Sequence, residues 1–285
     1  MSDKRSVDHP VSAQTISAAL NRLNIRPSKG RGQNFLVSQS VVKRTVDALN
    51  PAPTDFVVEV GPGLGILTSE LAKRAGQVVA IEIDERLALH LSFEYAGSMV
   101  TLLPADALTV ESDAFLPERG DYLFAGNLPY SVGSAIVRRF LELPRPPRRM
   151  VFMIQKEVAE RMAASPPKMS VLGISVQLYS HAVIAFDVPP SAFKPRPNVD
   201  SSVVVLNRRH VELLPQQERE DFFRVVHAGF HQKRKQLVNT LSTGLDLPKS
   251  AVAGWLQDAG VSPAQRAESI DLVTWIALYK SRPLP

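Results

Sequence analysis

Between Phe56 and Ile154, short apolar runs alternate with segments of helical period, and this alternation limits the fold more than any other feature of the chain. Phe56-Val57-Val58-Glu59-Val60 reads as a buried strand, Gly65 to Ala75 as a helix and Val78 to Glu82 as a second strand. The cycle repeats with a helix from Glu85 to Tyr95, strands from Val100 to Leu103 and Tyr122 to Ala125, a helix from Val132 to Glu142 and a strand from Met150 to Ile154. Apolar strands separated by helices predict a doubly wound α/β domain, its parallel sheet covered on both faces. After an apolar segment from Val171 to Leu178, two β-rich stretches, Ala182 to Val188 and Ser202 to Leu206, are able to close the sheet with an antiparallel pair. Beyond Asn207 only helical patterns remain: REDFFRVVHAGF, KRKQLVNTLSTG, LPKSAVAGWLQDAG and SIDLVTWIALYKS. The expected organisation is an N-terminal extension over 1–27, which has helical spacing from Ala13 to Ile25, a sheet domain over 28–207 and a small all-helical domain over 208–285.

Composition narrows the setting. With 285 residues, 45% hydrophobic and 21% charged, the chain is globular rather than disordered. No apolar run approaches the roughly 18 residues of a membrane span, and the N-terminus lacks the apolar core of a secretory signal. A cytoplasmic protein without membrane association is expected. The absence of cysteine removes disulfides and thiolate metal sites from consideration. His227 and His231 have the spacing of a helical metal pair, but HAGFH lacks the glutamate of a zinc-protease motif and no third ligand suggests itself; no metal is expected. The 33 Lys and Arg exceed the 28 Asp and Glu by five, and they cluster in KGRGQ (29–33), RPPRRM (145–150), FKPRPN (193–198) and HQKRKQ (231–236). Such clusters suit a polyanion, though a solvated surface is the plainer reading of any one of them.

Chemistry is concentrated at the strand ends. EVGPGLG (59–65) occupies a strand-to-helix turn, where glycines admit a ligand close to the backbone and a helix N-terminus offers free N–H groups. The nicotinamide fingerprint would need glycine where Ile66 stands, and Gly65 comes one position early. The G-x-G-x-G loop with an acid on the preceding strand resembles that of S-adenosylmethionine-dependent methyltransferases. Glu82, closing the second strand, is placed to accept both ribose hydroxyls, and Asp106 follows the third strand within reach of an adenine amine.

GNLPY (126–130) ends the fourth strand, beside the expected methyl group. The exocyclic amine of adenine is a poor nucleophile because its lone pair is delocalised into the ring. Two acceptors on its N–H groups, the Asn127 side-chain oxygen and the Leu128 carbonyl, would favour the pyramidal form in which charge develops. Pro129 restricts the direction of that carbonyl, and Tyr130 offers a face on which a base can stack. No strong general base is required, since the amine proton becomes acidic only after methyl transfer and can leave to water.

GQNFL (32–36), EVGPGLGILT, IEID (81–84), DAL (106–108), GNLPY, QKEVAERM (155–162), VPPSAFKPRPNVDSSVV (188–204) and QKRKQLVNTL (232–241) together resemble the small-subunit ribosomal RNA adenine dimethyltransferases, the KsgA-like enzymes. The likeness runs from about Gly30 to the C-terminus. It implies a Rossmann-like methyltransferase sheet with a C-terminal helical RNA-docking domain, and S-adenosylmethionine as cofactor. The implied reaction is N6,N6-dimethylation of two adjacent adenosines near the 3′ end of 16S rRNA, within an assembling 30S particle, by a monomer. Carried over by position, Gln33, Asn34, Leu36, Gly61, Gly63, Glu82, Asp106 and Asn127 would contact the cofactor. Asn127, Leu128, Pro129 and Tyr130 would address the target base, with Phe193 as a second aromatic opposite Tyr130. The basic start of the helical tail, Lys233 to Lys235, would meet phosphates. Arg31 departs from the bulky apolar residue usual before GQNFL, and the chain has some twenty-five extra residues at its start. Two alternatives share much of this pattern: an erythromycin-resistance-type 23S rRNA adenine methyltransferase, and a non-catalytic assembly factor on the same fold.

Overall fold

A computed structural model describes residues 13–25, 33–232 and 234–283. The chain divides into two compact units. The first takes the chain up to Ala159 together with Val183–Arg208, and the second takes Glu160–Ala182 and everything from Arg209 onward.

The first unit is built on a seven-stranded sheet. Its strands in chain order are β2 (Phe56–Val60), β3 (Gln77–Glu82), β4 (Val100–Pro104), β5 (Leu123–Asn127), β6 (Arg149–Gln155), β7 (Ser180–Val188) and β9 (Ser201–Arg208). A separate two-stranded ribbon joins β1 (Phe35–Leu36) to β8 (Phe193–Lys194). The spatial order of the large sheet is β4-β3-β2-β5-β6-β9-β7. Pairing is parallel from β4 through β6 and antiparallel between β6 and β9. Val57, Val58, Val60, Leu123, Phe124 and Ala125 are all buried, because both faces of these central strands are covered.

The chain passes from β2 outward through β3 and β4, then returns to place β5 on the opposite side of β2. The C-terminal ends of β2 and β5 therefore flank a topological switch point, where an open α/β sheet leaves a crevice. The covering helices follow the expected periods: α1 (Ala13–Arg22), α2 (Gln39–Leu49), α3 (Ile66–Arg74), α4 (Glu85–Glu94) and α5 (Gly133–Glu142). Asp84 caps α4 by accepting from the Arg86 N–H. Ile16, Leu20 and Ile25 bring the α1 region into the same core as Val42, Val46 and Leu71.

The second unit draws in a segment that the sequence reading assigned to the sheet domain. α6 (Lys156–Met162) runs out of the first unit, and the apolar stretch after it folds as α7 (Val171–Gln177), capped by Ser170. Met169, Ile174 and Leu178 are buried with Phe222, Leu256 and Trp275 in the core of α8 (Arg219–Phe230), α9 (Leu237–Leu245), α10 (Lys249–Asp258) and α11 (Leu272–Lys280). The physical boundary is thus discontinuous rather than a single cut at 207/208. α9 also begins later than its sequence pattern: Leu237 opens it, while Lys235 sits in a turn back to Gln232. Lys233 lies outside the described residues, as do residues 1–12 and the stretch 26–32 that contains Lys29, Arg31 and Gly32.

Candidate functional site

A cavity of about 400 Å³ opens at the switch point. Its walls come from the ends of β2, β3 and β5, the loop after β4 and the segment around β1. Gln33, Asn34, Leu36, Gly61, Gly63 and Glu82 line it, as do Asp106, Asn127, Leu128, Pro129 and Tyr130. The structure thus gathers every site residue expected from the sequence except Phe193.

Phe193 is only 1% exposed and belongs to the apolar core. Its backbone pairs with Leu36 in the β1–β8 ribbon, and the Val37 N–H donates to the Ala192 carbonyl. An aromatic at this register is drawn inward by its apolar area, so Phe193 packs in the core behind the strip that carries Asn34 and Leu36 and is not part of the cavity lining.

The glycine loop turns through left-handed backbone, with φ of +72° at Gly61, +60° at Gly63 and +78° at Gly65. Gly65 also occupies the N-cap of α3, where a β-carbon would lie 2.7 Å from a Leu91 methyl. Nearby, Glu82 is 5% exposed yet holds two backbone donors: the Gly63 N–H at 3.1 Å and the Asp84 N–H at 3.0 Å. Burial pushes its pKa up, and these two N–H groups pull against that. A carboxylate has about four lone-pair sites, so capacity remains for a ligand's hydroxyls. Asp106 accepts the Leu108 N–H at 2.8 Å through Oδ1 and so closes a turn of its own.

The GNLPY box is held in place along its whole length. Gly126 pairs with Val60, and a β-carbon there would meet the Val60 carbonyl oxygen at 2.7 Å, so only glycine allows β2 and β5 to close. Asn127 donates from Nδ2 to the Asn34 carbonyl at 2.9 Å, which commits its NH2 end and leaves Oδ1 for a ligand. Leu128 is buried, with its N–H on the Met153 carbonyl at 3.1 Å. The Pro129 carbonyl accepts from Val132 and Gly133 at the start of α5. The Tyr130 hydroxyl lies 2.7 Å from Ser201 Oγ on β9, which ties the ring to another strand of the same sheet; burial raises its pKa and the Ser201 contact lowers it.

Three further residues of the cavity wall were not expected as site residues from the sequence. Ile83, 56% exposed, lines the cavity beside Glu82, and Val132, the N-cap of α5, and Ile136 within the helix supply further wall. The RPPRRM cluster is largely spent inside the first unit: Arg145 reaches the Pro117 carbonyl, Arg148 pairs with Asp55 at 2.7 Å, and Arg149 donates to the Ala48 carbonyl and Asn207. Among the described residues, no group of three or more metal-capable side chains converges and no helix is long and apolar enough to cross a membrane.

With this geometry in place, comparison with known proteins is informative. Residues 24–281 match the family model described as ribosomal RNA adenine dimethylase. The "Ribosomal RNA small subunit methyltransferase A" of Dehalococcoides mccartyi is 39% identical over 252 residues, spanning 88% of this chain and 87% of the relative. Its namesake from Moorella thermoacetica is 37% identical over 275 residues, spanning 93% and 95%. Among solved structures, the 23S rRNA methyltransferase ErmE is similar with a TM-score of 0.71 at 30% identity, over 87% of this chain and 99% of that one. A dimethyladenosine transferase from Plasmodium falciparum reaches a TM-score of 0.73 over 86% and 95% of the two chains; at 23% identity it speaks to the fold alone.

Proposed function

We infer the reaction from one premise: the chain belongs to the ribosomal RNA adenine dimethylase family. It is an rRNA adenine N6,N6-dimethyltransferase, and its substrate is the pair of adjacent adenosines near the 3′ end of 16S rRNA in an assembling 30S particle. Work as a cytoplasmic monomer belongs to the same reading. The observation that carries it is the meeting, at neighbouring strand ends, of the Glu82 and Asp106 carboxylates with the Asn127-Leu128-Pro129-Tyr130 box in one cavity.

The residues present fit S-adenosylmethionine. Glu82 suits a ribose diol and Asp106 an adenine amine, and the glycine loop has little side-chain bulk where a ligand's chain must pass. When bound, the cofactor supplies a methyl group on a cationic sulfonium. Asn127 Oδ1 and the Leu128 carbonyl would accept the two N–H bonds of the incoming amine, so that charge developing on nitrogen meets acceptors already in place. Tyr130 would hold the flipped base by its face, its own ring kept in position by Ser201. The restricted geometry of the pocket supplies proximity, an effect worth up to about 7–11 kcal/mol in well-oriented systems. The product proton passes to water. The helical second unit would add phosphate contacts and docking to the ribosomal particle.

Nucleoside mass spectrometry tests this reading, after incubation with undermethylated 30S subunits, 23S rRNA or duplex DNA, with Asn127→Ala as control. Dimethyladenosine in 16S rRNA alone, reduced about 10²–10³-fold in the variant, is expected for the loss of one preorganised contact. Modification confined to 23S rRNA would select the resistance-type activity suggested by the likeness to ErmE. Cofactor binding without methylation of any substrate would select the assembly factor.

A further inference from the structure

We propose that Arg139 is a positioning residue for the cofactor: it acts from outside the cavity, through the loop that carries Asp106, to set affinity for the adenosine end of the ligand. This rests on the reading of the cavity as an S-adenosylmethionine site. Helix α5 starts directly behind the acceptor box, and its N-cap Val132 and its Ile136 form cavity wall. Arg139 stands three positions beyond Ile136, on the same helical face. From there Nη1 donates to the Ala107 carbonyl at 2.6 Å and Nη2 donates to the Val110 carbonyl.

Those two carbonyls bracket the turn organised by Asp106. The Leu108 N–H binds Asp106 Oδ1, and the Thr109 and Val110 N–H groups bind the Asp106 carbonyl at 3.0 and 2.9 Å. Local bonds thus shape the turn, while the guanidinium fixes it against α5. Ala105, Asp106 and Ala107 all line the cavity. A planar guanidinium spans two carbonyls in a way that a lysine ammonium does not. An arginine in an RNA-modifying enzyme would ordinarily be assigned to phosphate, but both terminal nitrogens of Arg139 are engaged within the first unit. Its neighbour Arg138 offers the contrast: its side chain is exposed and pairs with Glu142 on its own helix.

Isothermal titration of the full-length protein with S-adenosylmethionine tests the proposal, in Arg139→Met, Arg139→Lys, Arg138→Met, Asp106→Ala and the Arg139→Met/Asp106→Ala double variant. The expected result for Arg139→Met is a Kd raised about tenfold or more, the scale of one charge-assisted hydrogen bond. Arg139→Lys should recover part of the affinity and Arg138→Met should match the parent. The double variant should bind no more weakly than Asp106→Ala alone, because both changes act on one contact. Hydrogen exchange at residues 105–110 should quicken in Arg139→Met, and turnover at saturating cofactor should stay within about twofold of the parent. An unchanged Kd in the folded Arg139 variants, or additive losses in the double variant, would overturn the proposal; an unchanged Kd with weakened RNA binding would make Arg139 a phosphate contact instead. If Arg139→Met fails to fold, the Arg139→Lys titration decides by the same criteria. Failure of the parent protein to bind S-adenosylmethionine would overturn the cofactor reading itself, and the proposal with it.

Discussion

Glu59 is a carboxylic acid in the middle of the sheet, and its replacement by glutamine should change how stability responds to pH. Glu59 is fully buried in β2, between Ala80 of β3 and Ala125 of β5, and among the described residues no hydrogen bond of normal geometry reaches either carboxyl oxygen, the Thr68 hydroxyl interacting only weakly. Burial pushes its pKa from the ordinary 4.5 up to about 8; the Thr68 hydroxyl lowers it in part and the Glu82 carboxylate raises it further. An acid whose pKa is raised on folding is a proton acceptor that the native state favours. Its stabilisation is complete below pH 4.5 and is lost as pH rises towards about 8. At about 1.36 kcal/mol per unit, the loss over that window is on the order of 5 kcal/mol, with about 3 kcal/mol already gone at pH 7. Glutamine keeps the shape but does not titrate; its buried NH2 adds a penalty independent of pH, so the informative quantity is the slope. Urea unfolding at pH 5, 6, 7 and 8 should be followed by circular dichroism, because both tryptophans, Trp255 and Trp275, lie in the helical unit. The parent should lose more stability than Glu59→Gln with each unit of pH. Parallel pH profiles would refute the argument and mean that Glu59 is ionised in the folded protein.

Two further outcomes follow from the cavity's construction. Gly65→Ala combines a left-handed backbone with a β-carbon 2.7 Å from Leu91, and should cost roughly 2–5 kcal/mol of stability by thermal or urea unfolding. Tyr130→Phe and Ser201→Ala each remove one end of a single hydrogen bond, so each should lower turnover by about fivefold, for a bond worth about 1 kcal/mol. Their combination should be no worse than either alone in the kinetics, and additive losses would mean that Ser201 acts elsewhere.

Much of the site was legible because its chemistry sits where local patterns end. The apolar strands stop at Val60, Glu82 and Asn127, and the punctuating glycines, acids and X-Pro step mark the same points in sequence and in space. Pairings over long separations left no such trace. The Asn127–Asn34 bond spans 93 positions and the Tyr130–Ser201 contact spans 71, and although each end lies in a recognisable motif, no local pattern says that the two meet. Phe193 sits in a proline-rich basic loop that reads as exposed, yet its pairing with Leu36 takes it into the core. Arginine is ambiguous for a different reason: the same side chain serves a phosphate or a carbonyl, and only the fold shows that Arg145, Arg148 and Arg149 serve contacts within the protein. The segment Val171 to Leu178 is too short and too evenly apolar for its period to reveal a helix.

The interleaving of the two units has a consequence for how the protein can be taken apart. The polypeptide crosses from one unit to the other after Ala159, Ala182 and Arg208, so no single proteolytic cut releases either as an intact piece. Truncation at Arg208 would leave α7 orphaned, with Ile174 and Leu178 stripped of the partners that bury them. The tail from Arg209 onward would in turn lack part of its own interior. Any natural exchange of the helical unit between relatives would therefore need a matched change in the insert ahead of β7, which makes the pair a single hereditary module despite their distance along the gene.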